Sequence, residues 1–418
     1  MVYFSNMTEN ESVKPNLKSI LSVTVIVGAL GYFVDVYDLI LFGIVRVPSL
    51  KALGYDGNQL LDYGVLLLNV QMAGMLLGGI FWGILGDKKG RVKILFASIL
   101  MYSIANASNG FVHNIETYVI CRFLAGLGLA GELGVAVTLV LEILPKETRG
   151  YGTMIIASIG VSGAVAANLV AKFFDWRSAF VIGGVLGVLL LFLQMKVIES
   201  GTFRKAETLK ISRGNFLAFF TNWKRFARYM KSIFVGIPIW FSLSVLITFA
   251  PEFAKALKIN GVINAGDAIM YYYIGATFGD FTSGFLSQYL KSRKKVLFIF
   301  ITALTAMVII YLLQYNISTT TFYLICTITG FPAGYWAVFV TVSAEQFGTN
   351  LRATAASTIP NFVRGMVVPI TFLFHSFVYM TGVVTAGAIV ASLCLVVAFI
   401  SLFRLEETYH KDLDFVEE

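Results

Sequence analysis

One stretch decides the fold: Gly83-Ile-Leu-Gly86-Asp87-Lys88-Lys89-Gly90-Arg91-Val92-Lys93. It sets a dense group of charges between two apolar runs, so a long helix must end there, turn within a few residues and begin again. Lysine and arginine in such a turn mark the cytoplasmic side of a membrane. A weaker copy, Gly284 to Lys295, follows in the second half of the chain. The two copies together predict an internal repeat.

The composition is that of a membrane protein. Of the 418 residues, 57% are hydrophobic and 13% are charged, whereas soluble domains are about half apolar and about a quarter charged. Apolar runs long enough to cross about 30 Å of hydrocarbon recur, and they are continuous, which favours helices over strands. The sequence therefore predicts an all-α membrane protein with twelve transmembrane helices in two six-helix bundles. The predicted spans are 19–44, 61–85, 93–112, 116–144, 150–172, 177–198, 231–256, 267–290, 295–314, 319–345, 352–379 and 383–403.

These spans divide the chain into two halves. We expect an N-terminal six-helix bundle over 1–198, a cytoplasmic linker over 199–230, and a C-terminal six-helix bundle with a short tail over 231–418. With the N-terminus inside, 24 of the 32 basic residues fall on the cytoplasmic side, six fall outside and two lie within spans. The positive-inside rule then predicts that both termini are cytoplasmic.

The two halves match residue by residue at several positions. Because six spans is an even number, both copies enter the membrane in the same direction, and a pseudo-twofold axis runs along the membrane normal. Two such bundles with a site between them suit alternating access by rocking. The matched pairs are Gly83 with Gly284, Gly131 with Gly334, Glu142 with Glu345, and Arg149 with Arg352.

Other classes of protein lack support in the sequence. The three cysteines lie in apolar runs and the three histidines are scattered, so neither a disulfide framework nor a metal site is expected. The sequence contains no nucleophile–base grouping and no phosphate-binding loop, so we expect neither an enzyme nor a cofactor. The net charge of +8 is concentrated at helix ends, which indicates membrane topology rather than a nucleic-acid partner.

Three motifs in order resemble the major facilitator superfamily over essentially the whole chain. They are Gly83-x-x-x-Asp87-Lys88-x-Gly90-Arg91-x-Lys93 between spans two and three, Arg122-x-x-x-Gly126-x-Gly128-x-x-Gly131-Glu132 in span four, and Glu142-x-x-Pro145-Lys146-x-x-Arg149-Gly150 at its end. The first span, Tyr32-Phe-Val-Asp35-Val-Tyr37-Asp38-Leu, resembles that of metabolite–proton symporters. With Glu406-Glu407-Thr408 after the last span, the pattern is similar to bacterial nutrient importers of the phagosomal-transporter type.

Two features depart from the superfamily's pattern. The second copy of the opening motif has Gln288 in place of the acidic residue, which puts its gating role in doubt. Span five contains Gly160 and Gly163 but lacks the glycine-proline cluster of drug exporters, which counts against an antiporter.

Charged residues within spans are the candidates for proton coupling, because each costs about 2.5–3.5 kcal/mol to insert. Asp35 and Asp38 lie three residues apart and share one helix face. Arg122 lies at a similar depth, and we predict that it pairs with Asp35 or Asp38. The resemblance implies proton coupling in this region, and a static pair is the alternative. Glu132 follows glycines that permit close helix approach, so it could bind the proton, bind a cationic substrate group or make a structural hydrogen bond.

Arg364 in span eleven is the candidate substrate anchor, because its guanidinium fork matches a carboxylate or phosphate. Pro360 before it predicts a bend. The alternative is a partner for Asp280, whose own role is open between structure and proton relay. The resemblance implies that spans one, four, seven and ten line the path. The full predicted substrate-binding set is Tyr32, Tyr37, Asn69, Gln71, Asn168, Trp240, Tyr335, Trp336, Asn361 and Arg364.

Charged residues at the inner ends of the spans form a predicted gate. Surface ion pairs are worth about 0–1 kcal/mol each, but a network made in only one state still biases the equilibrium between states. We expect it to close the inner gate of the outward-facing state; loop solubility is the alternative. The gating set is Gly83, Asp87, Arg91, Glu142, Arg149, Glu345 and Arg352.

Together these features predict a proton-coupled symporter that imports a small polar metabolite, such as an amino acid or organic acid, by alternating access. A sugar symporter or a phosphate or organic-anion symporter is the alternative, and a drug antiporter or membrane sensor is less favoured. The expected partners are a small-molecule substrate, the proton and the lipid bilayer, without nucleic acid. We expect a monomer in the inner membrane of a bacterium.

Overall fold

Helices run back and forth between two ends of the molecule, and the described residues contribute to twelve passes. A computed structural model describes residues 23–89, 91–131, 149–199, 216–409, 411 and 417. In this part of the chain, nine stretches are long and apolar enough to cross a membrane. The helices are α1 (Val23–Ala52), α2 (Gln59–Lys89), α3 (Arg91–Asn109), α4 (Ile115–Leu129), α5 (Arg149–Val161), α6 (Gly163–Phe173), α7 (Trp176–Glu199), α8 (Ala218–Thr221), α9 (Trp223–Phe241), a π-helix (Ser242–Ile247), α10 (Ala250–Ala256), α11 (Ala265–Tyr289), α12 (Arg293–Leu313), α13 (Thr319–Ala333), α14 (Trp336–Glu345), α15 (Thr349–Gly365), α16 (Val367–Thr381) and α17 (Val383–Phe403).

Turns identify the two ends. The tail end carries the 290–292 and 346–348 turns and the segment that follows α17. The distal end carries the turns at 53–58, 110–114 and 314–318. In the described part of the chain, four passes are built from two or more consecutive helical segments: α5–α6, α9–π-helix–α10, α13–α14 and α15–α16.

Two helix boundaries differ from the predicted spans. The seventh pass begins at Trp223 rather than 231, because the Asn222 side chain caps α9 by accepting hydrogen bonds from the backbone N–H groups of Lys224 and Arg225. The first pass extends to Ala52 rather than 44. The apolar run was read as ending before Arg46, but that arginine is fully buried.

Glycines show the internal repeat in three dimensions. A Cβ atom on Gly126 would lie 2.1 Å from the carbonyl oxygen of Gln71, which joins α4 to α2. In the second half, a Cβ atom on Gly330 would lie 1.9 Å from the carbonyl oxygen of Tyr272, which joins α13 to α11 in the same way. The predicted close approach at Gly126 is therefore confirmed, and each half contains a tightly crossed helix pair at the matching place.

Adding one methyl group at either crossing should destabilise the protein. We expect Gly126→Ala and Gly330→Ala each to lower the stability by about 1–3 kcal/mol, because backbone atoms cannot rotate away from the new methyl. Gly43→Ala is the matched control, since its Cβ would meet the terminal methyl of Ile269 at 3.0 Å. Thermal melting of the purified proteins in one detergent is the measurement. Equal melting temperatures for all three variants would contradict the expectation.

The halves meet along two related lines. Helix α2 of the first half packs on α15 and α16 of the second, while α5 and α6 of the first half pack on α11 of the second. Helix α1 also contacts α11. Residues of α1, of the seventh pass and of the tenth and eleventh passes therefore lie around the middle of the molecule.

Candidate functional site

A buried arginine between two tryptophans forms the centre of the candidate site. Arg364 in α15 is 1% exposed. Its guanidinium carbon lies 5.6 Å from the ring centroid of Trp240 and 5.7 Å from that of Trp336. The two indoles are edge-to-face, with centroids 6.0 Å apart. Such contacts stabilise the cation in a low-dielectric region.

This cluster contains more hydrogen-bond donors than acceptors. Arg364 Nε, Trp240 Nε1 and Trp336 Nε1 are buried and have no hydrogen-bond acceptor among the described residues. Asn361 Oδ1 accepts from another guanidinium nitrogen of Arg364 at 3.5 Å. Buried donors are normally satisfied, and both indole and guanidinium donate only. The arrangement suits a small ligand that carries accepting oxygens.

Helix irregularities set the positions of both tryptophans. Trp240 lies just before the π-helix, in which Thr248 N donates to Leu243 O across five residues. Trp336 begins α14, after a break at Gly334 and Tyr335. Breaks of this kind are frequent at functional sites.

Asp280 stabilises the break before α14. Its Oδ1 accepts a hydrogen bond from the backbone N–H of Ala337 at 3.0 Å, in the first turn of that helix. A negative charge is favourable at a helix N-terminus. Gly279 permits this contact, because its Cβ would lie 2.0 Å from the carbonyl oxygen of Phe331. Asp280 thus positions Trp336.

The first half faces this cluster through α1. Tyr32 is buried and lies within electrostatic reach of Arg364, Asp280 and Asp35. Tyr273 of α11 lies within reach of Arg364 and Tyr32. Two predicted substrate residues, Trp240 and Trp336, are therefore gathered around Arg364, with Tyr32 opposite them.

The buried arginine of the first half contacts an amide and two aromatic rings. Arg122 donates a hydrogen bond to Gln71 Oε1 and stacks over Phe42 and Phe180 at 5.0 and 5.7 Å. Asp38 Oδ1 accepts from Asn106 Nδ2 and attracts Arg122 electrostatically. Arg122 thus reaches the amide of Gln71, which lies at the tight α2–α4 crossing, and its pairing with Asp35 or Asp38 stays a prediction.

Several other predicted substrate residues also make defined contacts. Tyr37 donates to Ala179 O at 3.0 Å, and Tyr335 donates to Val235 O at 2.9 Å, so both hydroxyls are used inside their own halves. Asn69 accepts from Thr371 at 2.5 Å across the halves. Asn361 donates to Ala130 O at 3.0 Å, also across the halves. Their role in binding stays a prediction.

Polar contacts join the two halves at the distal end. Arg46 of α1 pairs with Glu252 of α10 at 2.8 Å and donates to Thr248 O and Leu60 O.

Two further groups of contacts join the halves at the same end. Asp62 of α2 contacts His375 at 2.8 Å and Tyr379 at 2.5 Å, both in α16. Asp267 of α11 pairs with Lys172 of α6 at 2.5 Å and accepts from Asn168 at 3.2 Å. We call these three groups the distal latch; each of them joins the first half to the second.

Most of the chain matches the sequence model of one known family. The sequence model of the Major Facilitator Superfamily matches residues 28–370. The chain belongs to the Major Facilitator Superfamily. Members of this superfamily are transporters, so the protein is a multi-pass membrane transporter and not an enzyme.

Several characterised transporters are similar to this chain, and their names state their substrates. The chain is similar to the niacin transporter NiaP of Acinetobacter baylyi, with 28% identity over 83% of this chain and 86% of that protein. It is also similar to the gentisate transporter of Corynebacterium glutamicum, with 24% identity over 79% and 75% of the two chains respectively. The benzoate transport protein of Acinetobacter baylyi is 22% identical over 79% and 78%. These are bacterial transporters of small organic acids.

Most of the predicted gating residues lie at the tail end of the described helices. Gly83 and Asp87 lie in the last turns of α2, Arg91 begins α3 and Arg149 begins α5, all at the tail end. Glu345 contacts Arg293 at 3.4 Å and accepts from Thr408 at 2.7 Å, both within the second half. Arg352 lies half-buried in α15. Glu142, like the proton-coupling candidate Glu132, lies outside the described residues.

Sequence reasoning missed the distal latch. Arg46, Lys172 and Lys255 were treated alike as basic residues outside the spans, yet Arg46 is buried and Lys255 is exposed. The signal that could have predicted the latch is the position of three acidic residues, Asp62, Glu252 and Asp267, near the distal ends of predicted spans. The positive-inside rule counts only Lys and Arg, so it gives these acids no role.

Proposed function

We propose that this transporter imports a small aromatic carboxylate together with a proton, by alternating access. The observation that carries the proposal is the group of buried donors, Arg364 Nε, Trp240 Nε1 and Trp336 Nε1, that find no acceptor among the described residues. A carboxylate accepts hydrogen bonds without donating any. The guanidinium fork can receive it bidentately, and the indole N–H groups can add further bonds.

The same residues suit an aromatic ring. The indole rings of Trp240 and Trp336 lie beside Arg364 and can contact a ligand ring. The ring centroid of Phe339 lies 5.2 Å from that of Trp336 and extends this aromatic surface. Aromatic pairs are worth about 0.5–1.5 kcal/mol beyond the burial of their area. Niacin, gentisate and benzoate, named in the relatives, are all aromatic rings with a carboxylate. This supports an organic acid over the amino acid, sugar or phosphate that the sequence left open.

Proton coupling is assigned to Asp35 and Asp38 of α1. Asp35 lies one helical turn from Tyr32 and within electrostatic reach of it, and Tyr32 is close to Arg364. A carboxylate so placed can respond to an anion that arrives at Arg364, because like charges nearby favour binding of a proton. Arg122 and Glu132 complete the proposed proton-coupling set.

The proposed orientation follows the basic residues. The tail end faces the cytoplasm of a bacterium, in its inner membrane, and the distal end faces outwards. In this orientation the distal latch is the outer gate, and the Gly83–Lys93 turn belongs to the inner gate. Rocking of the halves then exposes Arg364 to each side in turn.

Uptake by the full chain in proteoliposomes tests the proposal. We expect accumulation of labelled nicotinate and benzoate when the outside is acidic, and none of the neutral amides nicotinamide and benzamide, which match them in shape. A proton gradient imposed in the opposite direction should abolish accumulation. Uptake of glutamate, glucose or phosphate in place of the aromatic acids would contradict the substrate class.

The same assay separates coupling from binding. Asp35→Asn or Asp38→Asn should lower substrate accumulation against its concentration gradient by about tenfold or more. Counterflow exchange of substrate should persist, because exchange needs no net proton movement. Asp175→Asn, an exposed carboxylate in the α6–α7 turn, is the matched control. Normal accumulation in both variants would rule out these two carboxylates as the coupling groups.

A further inference from the structure

A cationic cavity lies at the tail end, between α9, the 346–348 turn and the segment after α17. Its volume is about 330 Å³, within the range of small-ligand sites. Helix α9 contributes Trp223, Lys224, Arg228 and Lys231, and the segment after α17 contributes Arg404 and Glu406. Four cationic side chains and one carboxylate therefore line it.

Among the described residues, few acids lie close enough to neutralise this positive charge. Arg228 pairs with Glu417 at 2.6 Å, and Glu406 pairs with Lys411 at 3.3 Å. Lys231 Nζ donates to the backbone carbonyl of Arg404 at 3.2 Å. Among the described residues, no carboxylate lies within ion-pairing distance of Lys224, Lys231 or Arg404. The cavity is thus suited to an anion.

The cavity is built rather than incidental. Glu407 accepts hydrogen bonds from the backbone N–H groups of Arg293 at 2.9 Å and Lys294 at 3.1 Å, so it caps α12 and holds the segment after α17 in place. Gln346 Nε2 donates to Glu406 O at 2.8 Å, and Arg228 donates to Gln346 O at 3.0 Å. These contacts tie α9, the 346–348 turn and the segment after α17 together.

An apolar stripe leads directly to this cavity. Leu393, Val396, Ile400 and Phe403 are exposed at spacings of three and four residues, so they share one face of α17. The stripe ends at Arg404. Trp223 is 77% exposed at the cavity rim, and tryptophan is the residue that favours the membrane–water interface. A molecule with a charged head and an apolar chain matches both parts.

We propose that this cavity binds the headgroup of an anionic phospholipid, with an acyl chain along the α17 stripe. Basic cavities between membrane helices bind such headgroups, and each nearby lysine or arginine strengthens the binding. The apolar stripe favours a lipid over a free phosphate ion, because the ion would leave the stripe unused. The lipid would brace α9 against α17, the first and last passes of the second half.

Lipid binding to the purified full chain in detergent tests this. Native mass spectrometry should show dioleoylphosphatidylglycerol retained about tenfold more tightly than dioleoylphosphatidylcholine. Lys224→Gln with Arg404→Gln should remove that preference. The matched control, Lys51→Gln with Lys255→Gln, removes two exposed cations at the distal end and should keep it.

A second readout places the lipid. Phosphatidylglycerol brominated on its acyl chains should quench wild-type fluorescence more than that of Trp223→Phe, because bromine quenches only nearby indoles. Equal retention of the two lipids, or undiminished phosphatidylglycerol binding by the Lys224/Arg404 variant, would overturn the proposal. Displacement of the lipid by excess inorganic phosphate would instead identify a free-anion site and overturn it as well.

Discussion

Replacing Arg364 by glutamine should weaken binding of an aromatic carboxylate by about 100-fold or more. Each hydrogen bond from a charged group is worth about 1.5–3 kcal/mol, and the bidentate fork makes two. The variant also removes the cation held between Trp240 and Trp336. Equilibrium binding of labelled nicotinate or benzoate to the purified protein is the measurement, with uptake in proteoliposomes as the second.

Two further variants separate the anchor from general effects. Arg364→Lys retains the charge but not the planar fork, so binding should recover only in part. Arg177→Gln is the matched control, because Arg177 also stacks on an indole, that of Trp176, at 4.2 Å, and bonds to Gly110 O and Val112 O at the distal end. Unchanged affinity in Arg364→Gln, or an equal loss in Arg177→Gln, would remove Arg364 as the anchor.

Breaking the Arg46–Glu252 pair should open the distal end. Arg46 is 0% exposed and is held by Glu252 and two backbone carbonyls. Removing one member of a buried ion pair costs about 3–5 kcal/mol, and about 1.4 kcal/mol already changes an equilibrium tenfold. Since the contacts with Glu252 and Thr248 exist only while the halves meet at this end, Arg46→Gln should shift the population towards the distal-open state by at least about tenfold.

A buried reporter can measure this shift. Thr371 is fully buried beside Asn69 at the contact between the halves. Thr371→Cys, in a protein whose Cys121, Cys326 and Cys394 are replaced, should react faster with a water-soluble thiol reagent when Arg46→Gln is added. Lys51→Gln removes an exposed cation from the same helix and should leave the rate unchanged. Identical rates in the two variants would mean that Arg46 does not hold the gate.

Much of the architecture was readable from the chain. The charged turn at Gly83–Lys93, the apolar runs and the repeat predicted an all-helical membrane protein of the major facilitator type, and the match over residues 28–370 confirms the family. These signals are readable because hydropathy and charge are local properties, set by the cost of placing each side chain in hydrocarbon or water.

The partners of the buried charges were less readable. Asp35, Asp38, Arg122 and Arg364 were identified as unusual because they lie in apolar runs. Arg122 contacts Gln71, and Arg46, which the sequence places among the basic residues outside the spans, is fully buried. Which face of a helix meets which neighbour depends on the rotation of the helix, and the glycine crossings at Gly126 and Gly330 set that rotation between passes.

The sequence by itself determined the membrane class, the number of passes, the internal repeat and the list of costly charges, because each follows from the solvation of single residues and short runs. Only the tertiary structure decided that Arg364 lies between Trp240 and Trp336, and that Arg46 reaches Glu252 across the halves. The physical reason is that the π-helix after Trp240 and the break before Trp336 turn side chains from separate passes towards one point. Regular helical spacing cannot predict such a convergence.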